Sequence, residues 1–441
     1  MKKSTSSFQS PKLGKKVIND KLKEIGIDYA ARESGFIKRK GKKITPISLV
    51  VSLFNCLIRG RDLSFSAWAI EHSNINMETV SKQAIWKRTN TNLIDFLKVL
   101  IQNTIQIKLE QQKQNLHEVF KHFNNVYIQD STSLKLPDTL RNIFPGNRSK
   151  GQQKAVAKIQ AIYNLTTRCF KRFSVTSFTD NDQKESPNIV TDLREGDLII
   201  RDLGYFVLSV FKSITKEGAY FLSRYKFGTD LYDTNTMKKI SLILLTREGS
   251  IIDKEVNIGK KEKISVRLVA IKLNPQIAEE RRRKAKNDRD KRLNHSKEYM
   301  ELLGWSIYIT NVGEDIWTVD QVQTAYKMRW FIEVIFKSWK SQLKIPEIIP
   351  ENNMSPEKAQ VIIYAFLLFV LLFQIDLFAK LYNMGIKNIS LLKLSNFIVL
   401  RFDQILVSGV SKKIIEEISY FCSYESRKKR FNFCEKLQMA A

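Results

Sequence analysis

The chain has 441 residues, 43% hydrophobic and 27% charged, which excludes a disordered or fibrous protein and allows about two to four domains with a real core. Its 73 Lys and Arg against 45 Asp and Glu leave a net charge of +28, which says nothing of fold but favours polyanionic partners, nucleic acid first and anionic membrane second. Four distant cysteines (Cys56, Cys169, Cys422, Cys434) and four scattered histidines (His72, His117, His122, His295) argue against a zinc site and a disulfide framework, and fit a reducing cytosol.

The N-terminus is polar and basic, without the apolar core of a signal peptide. Residues 1–60 hold 14 basic and 4 acidic side chains, densest in "KRKGKK" at 38–43. "TPISLVVSLFNCLI" then reads as an apolar helix with Pro46 near its start, where proline is tolerated. A second helix covers Phe65 to Glu71. A third follows Ser81, which is either an N-cap or a turn residue, and carries Lys82, Lys87 and Arg88. The trio has the outline of a helix-turn-helix, although any small three-helix bundle reads the same way. Residues 93–120 read as one long helix.

From 125 the periodicity changes. "NVYIQDSTSLKL", "AVAKIQAIYNL" and "CFKRFSVTSF" read as three antiparallel strands, the last two joined by "TTR". "SPNIVTDL" reads as a helix with Ser186 as a candidate N-cap, "GDLIIRDLGYF" as a strand ending in a turn, Val207 to Thr215 as a helix and "AYFLSRYKF" as a strand. This is an α/β pattern with a mixed sheet. Residues 226–304 interrupt it with short strands ("SLILLTREG", "EVNIG", "ISVRLVAIKL") and a charged helix. That helix holds nine basic and five acidic residues between 279 and 298, a salt-bridged surface or a phosphate contact. "GWSIYITNV" returns to strand and "YKMRWFIEVIFKSWK" (326–340) to helix. "VIIYAFLLFVLLF" is an unbroken apolar run of 13 residues, short of the roughly 20 that span a bilayer. It reads as a buried helix. The last 60 residues read as helical and end in the basic "ESRKKR".

Three carboxylates stand out by placement. Asp130 lies inside the first strand and Asp202 at the end of an apolar one, where an unpartnered acid is costly. Strand-end capping explains either one alone. Two of them in one α/β unit point to an oxygen site for a hard divalent cation. Glu333 is the third. On an ideal helix with Tyr326 at zero, Arg329, Glu333 and Lys340 fall at roughly −60°, −20° and −40°, one polar stripe opposite an apolar back. A carboxylate there meets a metal while the cations beside it hold phosphates.

Tyr326-x2-Arg329-x3-Glu333-x6-Lys340 resembles the Y-R-E-K signature of the family-four insertion-sequence transposases. "QDSTSLKLPD" resembles that family's first-aspartate motif and "RDLGYF" its second, with Asp130 and Asp202 as the acids; "AYFLSRYK" resembles the following strand. The spacings, 72 residues (130 to 202) and 131 residues (202 to 333), suit the family's plan, and the likeness covers roughly residues 35–380. The combination is specific, whereas any one motif alone is weak.

The resemblance implies a ribonuclease-H-like mixed-sheet core at 121–225 and 305–380, interrupted by the strand-rich insertion at 226–304. It implies a helical DNA-binding region at 1–120 and a helical region at 381–441 that pairs subunits. Asp130, Asp202 and Glu333 would hold two Mg²⁺ ions, with Mn²⁺ able to substitute. Tyr326, Arg329 and Lys340 would contact end phosphates, and Trp305 would stack a base extruded from the DNA end. The implied activity is cut-and-paste transposition in the bacterial cytoplasm, at the nucleoid. A homodimer would act on terminal inverted repeats and target double-stranded DNA through a hairpin intermediate, without a membrane. The alternatives are a metal-dependent nuclease on the same core and an inactive DNA-binding regulator.

Overall fold

The computed structural model describes residues 14–38, 43–59, 63–111, 118–149, 151–288, 295–349 and 354–425. Most of the basic runs at 38–43 and 425–430 lies outside these residues, as do Cys434 and positions 289–294 of the charged segment.

Helices come first: α1 (Gly14–Glu24), α2 (Ile27–Glu33), α3 (Pro46–Ile58), α4 (Phe65–Asn76), α5 (Lys82–Arg88) and α6 (Thr91–Gln111). Their starts are chemically marked. Thr45 and Ser48 form a capping box on α3, with Pro46 in the first turn, where its missing N–H is no loss. Ser64 and Ser81 cap α4 and α5 by accepting from the N–H of Ala67 and Ala84, so Ser81 is a cap. Polar bonds lock α4 onto the buried α3: Trp68 Nε1 donates to Ser52 Oγ at 2.8 Å, and Asn55 Nδ2 to Glu71 Oε1 at 2.8 Å.

The sheet region follows with β1 (Val126–Leu136), β2 (Pro145–Ser149), β3 (Gln152–Asn164), β4 (Cys169–Ser177), α7 (Asp182–Glu185), a 3₁₀ stretch at Ser186–Asp192, β5 (Leu198–Arg201), α8 (Leu208–Lys216) and β6 (Tyr220–Arg224). β3 pairs antiparallel with β1 and β4, while β1–β5 and β5–β6 are parallel. The spatial order β4-β3-β1-β5-β6 is that of a ribonuclease-H-like core. β5 is central, and its Leu198, Ile199 and Ile200 are all buried, each worth about 1.5–3 kcal/mol.

Next come β7 (Leu231–Asp233), β8 (Lys239–Ile240), α9 (Leu242–Leu245), β9 (Ile251–Ile258), β10 (Ile264–Lys272), α10 (Pro275–Lys286), α11 (Lys297–Leu302) and β11 (Trp305–Thr310). β11 pairs with both β6 and β10, so the strands of 226–304 continue the same sheet. "SLILLTREG", expected as a strand, is instead the one-turn helix α9, whose Leu242 and Leu245 are buried on one side at helical spacing.

α12 (Val319–Lys327), α13 (Trp330–Ser341), α14 (Ile345–Ile348), α15 (Pro356–Phe369), α16 (Asp376–Asn383), α17 (Leu391–Ser408) and α18 (Lys412–Phe421) complete the described chain. The helix expected over 326–340 is two, α12 and α13. At Met328 and Arg329 the amides bond back to Ala325 and Tyr326, three residues earlier, which tightens the turn. α15, a π-helical segment at Val370–Ile375 and α16 form one rod, Pro356–Asn383. It is long and apolar enough to cross a membrane, yet 94% of its apolar window is buried inside the protein.

One hydrophobic cluster joins the N-terminal helices, one face of the sheet, α13 and the C-terminal rod. A second lies on the other face, between α8 and β9–β11. Ile128 and Ile200 belong to the first, so Asp130 and Asp202, two residues further along each strand path, turn toward α13.

Candidate active site

Pairing register brings the two aspartates together. β1 and β5 run parallel with Gln129 opposite Arg201 as the last pair, so Asp130 and Asp202 stand side by side just beyond the end of that ladder. Asp130 Oδ1 accepts from the N–H of Ser131 at 2.8 Å. α13 packs across β1 and brings Glu333 from its first turn.

Arg329 sits in the middle. Its Nη1 lies 3.3 Å from Asp130 Oδ2 and its Nε 3.9 Å from Asp202 Oδ1, and Nη2 donates to Glu333. One guanidinium thus faces carboxylates from three separate elements. The cluster is half-sheltered: the Arg329 side chain is 15% exposed, Asp130 18%, Glu333 28% and Asp202 43%. Burial pushes the Asp130 carboxyl up to about 6; the Ser131 N–H and Arg329 oppose this, while Asp202 and Glu333 add repulsion.

Of the other residues singled out in the sequence, Lys340 is exposed in the last turn of α13, two turns or about 10 Å beyond Glu333 on the same side. Partial burial of its stem holds the ammonium below its usual value. Tyr326 is 7% exposed and packs on Tyr308 at 5.1 Å between centroids, and burial pushes its phenol up to about 12. Its hydroxyl is buried without a hydrogen-bond partner, as is Arg329 Nε. Trp305, the expected stacking platform, is 6% exposed within the second cluster, and its carbonyl accepts from Arg281 Nη1 at 3.0 Å. It is the first residue of β11 and lines, with Leu203, Arg224 and Phe227, a small cleft of about 140 Å³. Trp330, the first residue of α13 and the neighbour of Arg329 in the chain, is 55% exposed.

Arg224 was not among the residues expected from the sequence; its guanidinium stands 5.6 Å from the Tyr326 ring centroid. With Arg281, Lys284, Phe227 and Tyr299 it lines an open cleft of about 700 Å³. The available signal was the basic residue ending "AYFLSR", one strand away from "RDLGYF". Arg201 was also missed. It is fully buried behind Asp202, bonded to Gln129 Oε1 at 3.0 Å and to the Ser186 carbonyl at 2.9 Å, and burial pushes it down to about 9.

Three carboxylates form the hard-oxygen donor set that suits Mg²⁺ or Mn²⁺, and they already gather about a positive group. In that chemistry the residues fit a divalent metal. As the side chains stand, no group of three or more His, Cys, Asp and Glu among the described residues could hold an ion. The guanidinium of Arg329 stands between the acids.

Residues 121–348 match the family described as the transposase DDE domain. The transposase for insertion sequence element IS231D of Bacillus thuringiensis subsp. finitimus is 30% identical over 373 residues, 78% of this chain and 76% of that one. The IS231B transposase of Bacillus thuringiensis subsp. berliner is 29% identical over 358 residues, 77% of this chain and 74% of that one. The IS1151 transposase of Clostridium perfringens is 29% identical over 375 residues, with coverage of 78% and 76%.

Proposed function

Because the chain belongs to the transposase DDE-domain family, whose members are divalent-metal enzymes of DNA transposition, we propose that it moves an insertion sequence by cut and paste, with Asp130, Asp202 and Glu333 as the catalytic acids. The observation that carries this reading is the single guanidinium of Arg329 facing all three carboxylates. Acids from a strand, a strand end and a helix converge there without a structural need for three.

Asp130, Asp202 and Glu333 would hold two Mg²⁺ ions, which supply a lowered pKa for the attacking water or 3′-hydroxyl and charge neutralisation at the leaving oxygen. Each step exchanges one phosphorus–oxygen bond for another. Water frees a 3′-hydroxyl at the element's end. That hydroxyl attacks the opposite strand to give a hairpin, water reopens it, and the hydroxyl then joins target DNA.

Arg329 is the resident countercharge of the acids. Phosphates of an arriving DNA end compete for it, because a guanidinium binds phosphate in the same forked manner as carboxylate. Its withdrawal frees the acid oxygens. Lys340, exposed further along α13, holds the backbone beside them, and the orphaned hydroxyl of Tyr326 gains an acceptor as Arg329 moves. α3–α5 would carry the initial DNA contact, through Lys82, Lys87 and Arg88 of α5 and the 58%-exposed Trp86. Residues 381–441 would pair two subunits in a synaptic complex.

The test is cleavage and joining by purified protein on labelled DNA bearing the element's inverted repeats, with Mg²⁺ and a plasmid target. The expected outcome is end nicking, a hairpin and plasmid joining. Asp130→Asn, Asp202→Asn and Glu333→Gln should each lower cleavage by about 10³-fold or more while still shifting end DNA. Cleavage persisting in any one of them would overturn its assignment. Cleavage without joining would leave a nuclease instead.

A further inference from the structure

The segments around the two aspartates, residues 129–132 and 201–205, carry more polar side chains than the acids. Strand alternation sends Gln129, Ser131 and Arg201 to the opposite face of the sheet, directly behind the carboxylates. There Ser131 meets a fourth acid, Asp182, in the first position of α7. Ser131 Oγ donates to Asp182 Oδ1 at 3.0 Å, and Gln160 Nε2 donates to the same oxygen at 2.8 Å. Lys158 Nζ stands 3.3 Å from it. The Tyr205 hydroxyl donates to Gln160 Oε1. Gly204 closes the ring by close approach: a β-carbon there would lie 2.9 Å from Asp182 Oδ2 and 3.3 Å from Asp182 Cβ.

The pattern is specific to the aspartates' neighbours. Ser131 follows Asp130, and Gly204 and Tyr205 follow Asp202. β1 and β5 pair only as far as Gln129 and Arg201, so beyond that point no backbone ladder sets the spacing of the two acids. A surface ion pair would need neither the missing β-carbon of Gly204 nor the buried amide of Gln160, which is 2% exposed. Nor does this face offer itself to DNA, since the Lys158 side chain is 8% exposed and already paired.

We infer that Asp182 is a positioning residue, clamping the residue after Asp130 to the turn after Asp202 and so fixing the distance between the two acids. It acts on metal through them, as outer-shell groups do when they orient ligands. The inference rests on the proposed roles of Asp130 and Asp202.

The test compares Asp182→Asn, which keeps size and loses charge, with Gly204→Ala, Asp182→Ala and their double variant. The readouts are thermal unfolding, end-DNA binding, the Mg²⁺ dependence of cleavage, and terbium luminescence titration of the DNA-free protein. Asp182→Asn should unfold and bind DNA like the parent, yet need about 10-fold more Mg²⁺ and show the same shift in the terbium titration. Gly204→Ala should do likewise in the parent and have a clearly smaller effect once Asp182 is alanine, which removes the 2.9 Å contact with Oδ2 and leaves only the one with Cβ. Parental metal demand in Asp182→Asn, or an equal effect of Gly204→Ala in both backgrounds, would overturn the inference. Should Asp182→Ala fail to fold, Asp182→Asn decides alone. Asp202→Asn serves as control: if it still cleaves, the proposed function fails, whereas a dead control beside a parental Asp182→Asn sinks only the clamp.

Discussion

Asp130 shows how an acid cluster taxes the fold that holds it. Its carboxyl is pushed up to about 6 by burial, so the folded state holds its proton more tightly than the unfolded chain does. The ionised form therefore weakens the fold. That penalty is absent below about pH 4, grows as pH rises toward about 6 and is constant above. Asp130→Asn should raise the unfolding free energy by about 1–3 kcal/mol at about pH 7.5 in chelator, with the gain vanishing at about pH 4. Urea unfolding at the two pH values checks it, and a variant less stable than the parent at the higher pH would refute it. The acid itself was legible in the sequence, because a carboxylate inside an apolar strand is uncommon and a second one recurs at 202. Its neighbours were not. Ser131, Gly204 and Tyr205 look ordinary until chain distant in sequence brings Asp182 and Gln160 behind them.

Among the elements, those with strong local periodicity were legible: β1, β3, β4 and the apolar helices. β2 was not, because Pro145 and Gly146 signal a turn. Gly146 is in fact required by the strand, since a β-carbon would lie 2.6 Å from Val156 Cγ2 and 2.7 Å from the Lys154 carbonyl oxygen. The break between α12 and α13 was also hidden, for both residues at the joint keep helical dihedrals and only their bonding shortens. Gln374, the polar residue directly after the 13-residue apolar run, is fully buried in the π-helical segment. It accepts from Trp339 Nε1 at 3.0 Å and donates to Ser338 Oγ at 2.7 Å and Ser395 Oγ at 2.5 Å. Its amide thus ties α13, the helix of Glu333, to the rod and to α17. Gln374→Leu would leave the buried indole N–H without its acceptor, while the two hydroxyls keep their bonds to the Ile335 and Leu391 carbonyls, and should cost about 1–3 kcal/mol in chemical denaturation. A neutral result would mean that α13 is held by its apolar contacts alone.

Across the whole molecule, the N-terminal helices are fastened to the rod by charge. Asp376 is 7% exposed and meets Lys21 Nζ at 2.5 Å, Lys380 Nζ at 3.2 Å and Lys108. Burial alone would push its carboxyl up, but the three lysines hold it well below the usual carboxylate range. The π-helical segment contributes too, through the Leu372 carbonyl, which accepts from Lys21. Asp376→Asn leaves three ammonium groups facing one another and should destabilise the protein by about 3–5 kcal/mol, loosening α1 first. Hydrogen exchange over Gly14–Glu24 reads this directly, and unchanged protection there would rule out the latch. The pairing of β11 between β6 and β10 belongs to this scale as well: a contact between strands about 80 residues apart in the chain leaves no local mark in the sequence.

The buried rod also sets a timetable for synthesis. α3 and α6 pack against α15, which begins only at Pro356. At about 5–20 residues per second, roughly 250 residues of chain separate the finished α6 from its partner, a delay of about 12–50 seconds on the ribosome. Through that interval the apolar faces of the first helices stay unmatched, and they depend on chaperones or on one another. A nascent chain released before Pro356 would keep those faces bare, so premature termination should yield aggregates in place of a soluble DNA-binding fragment.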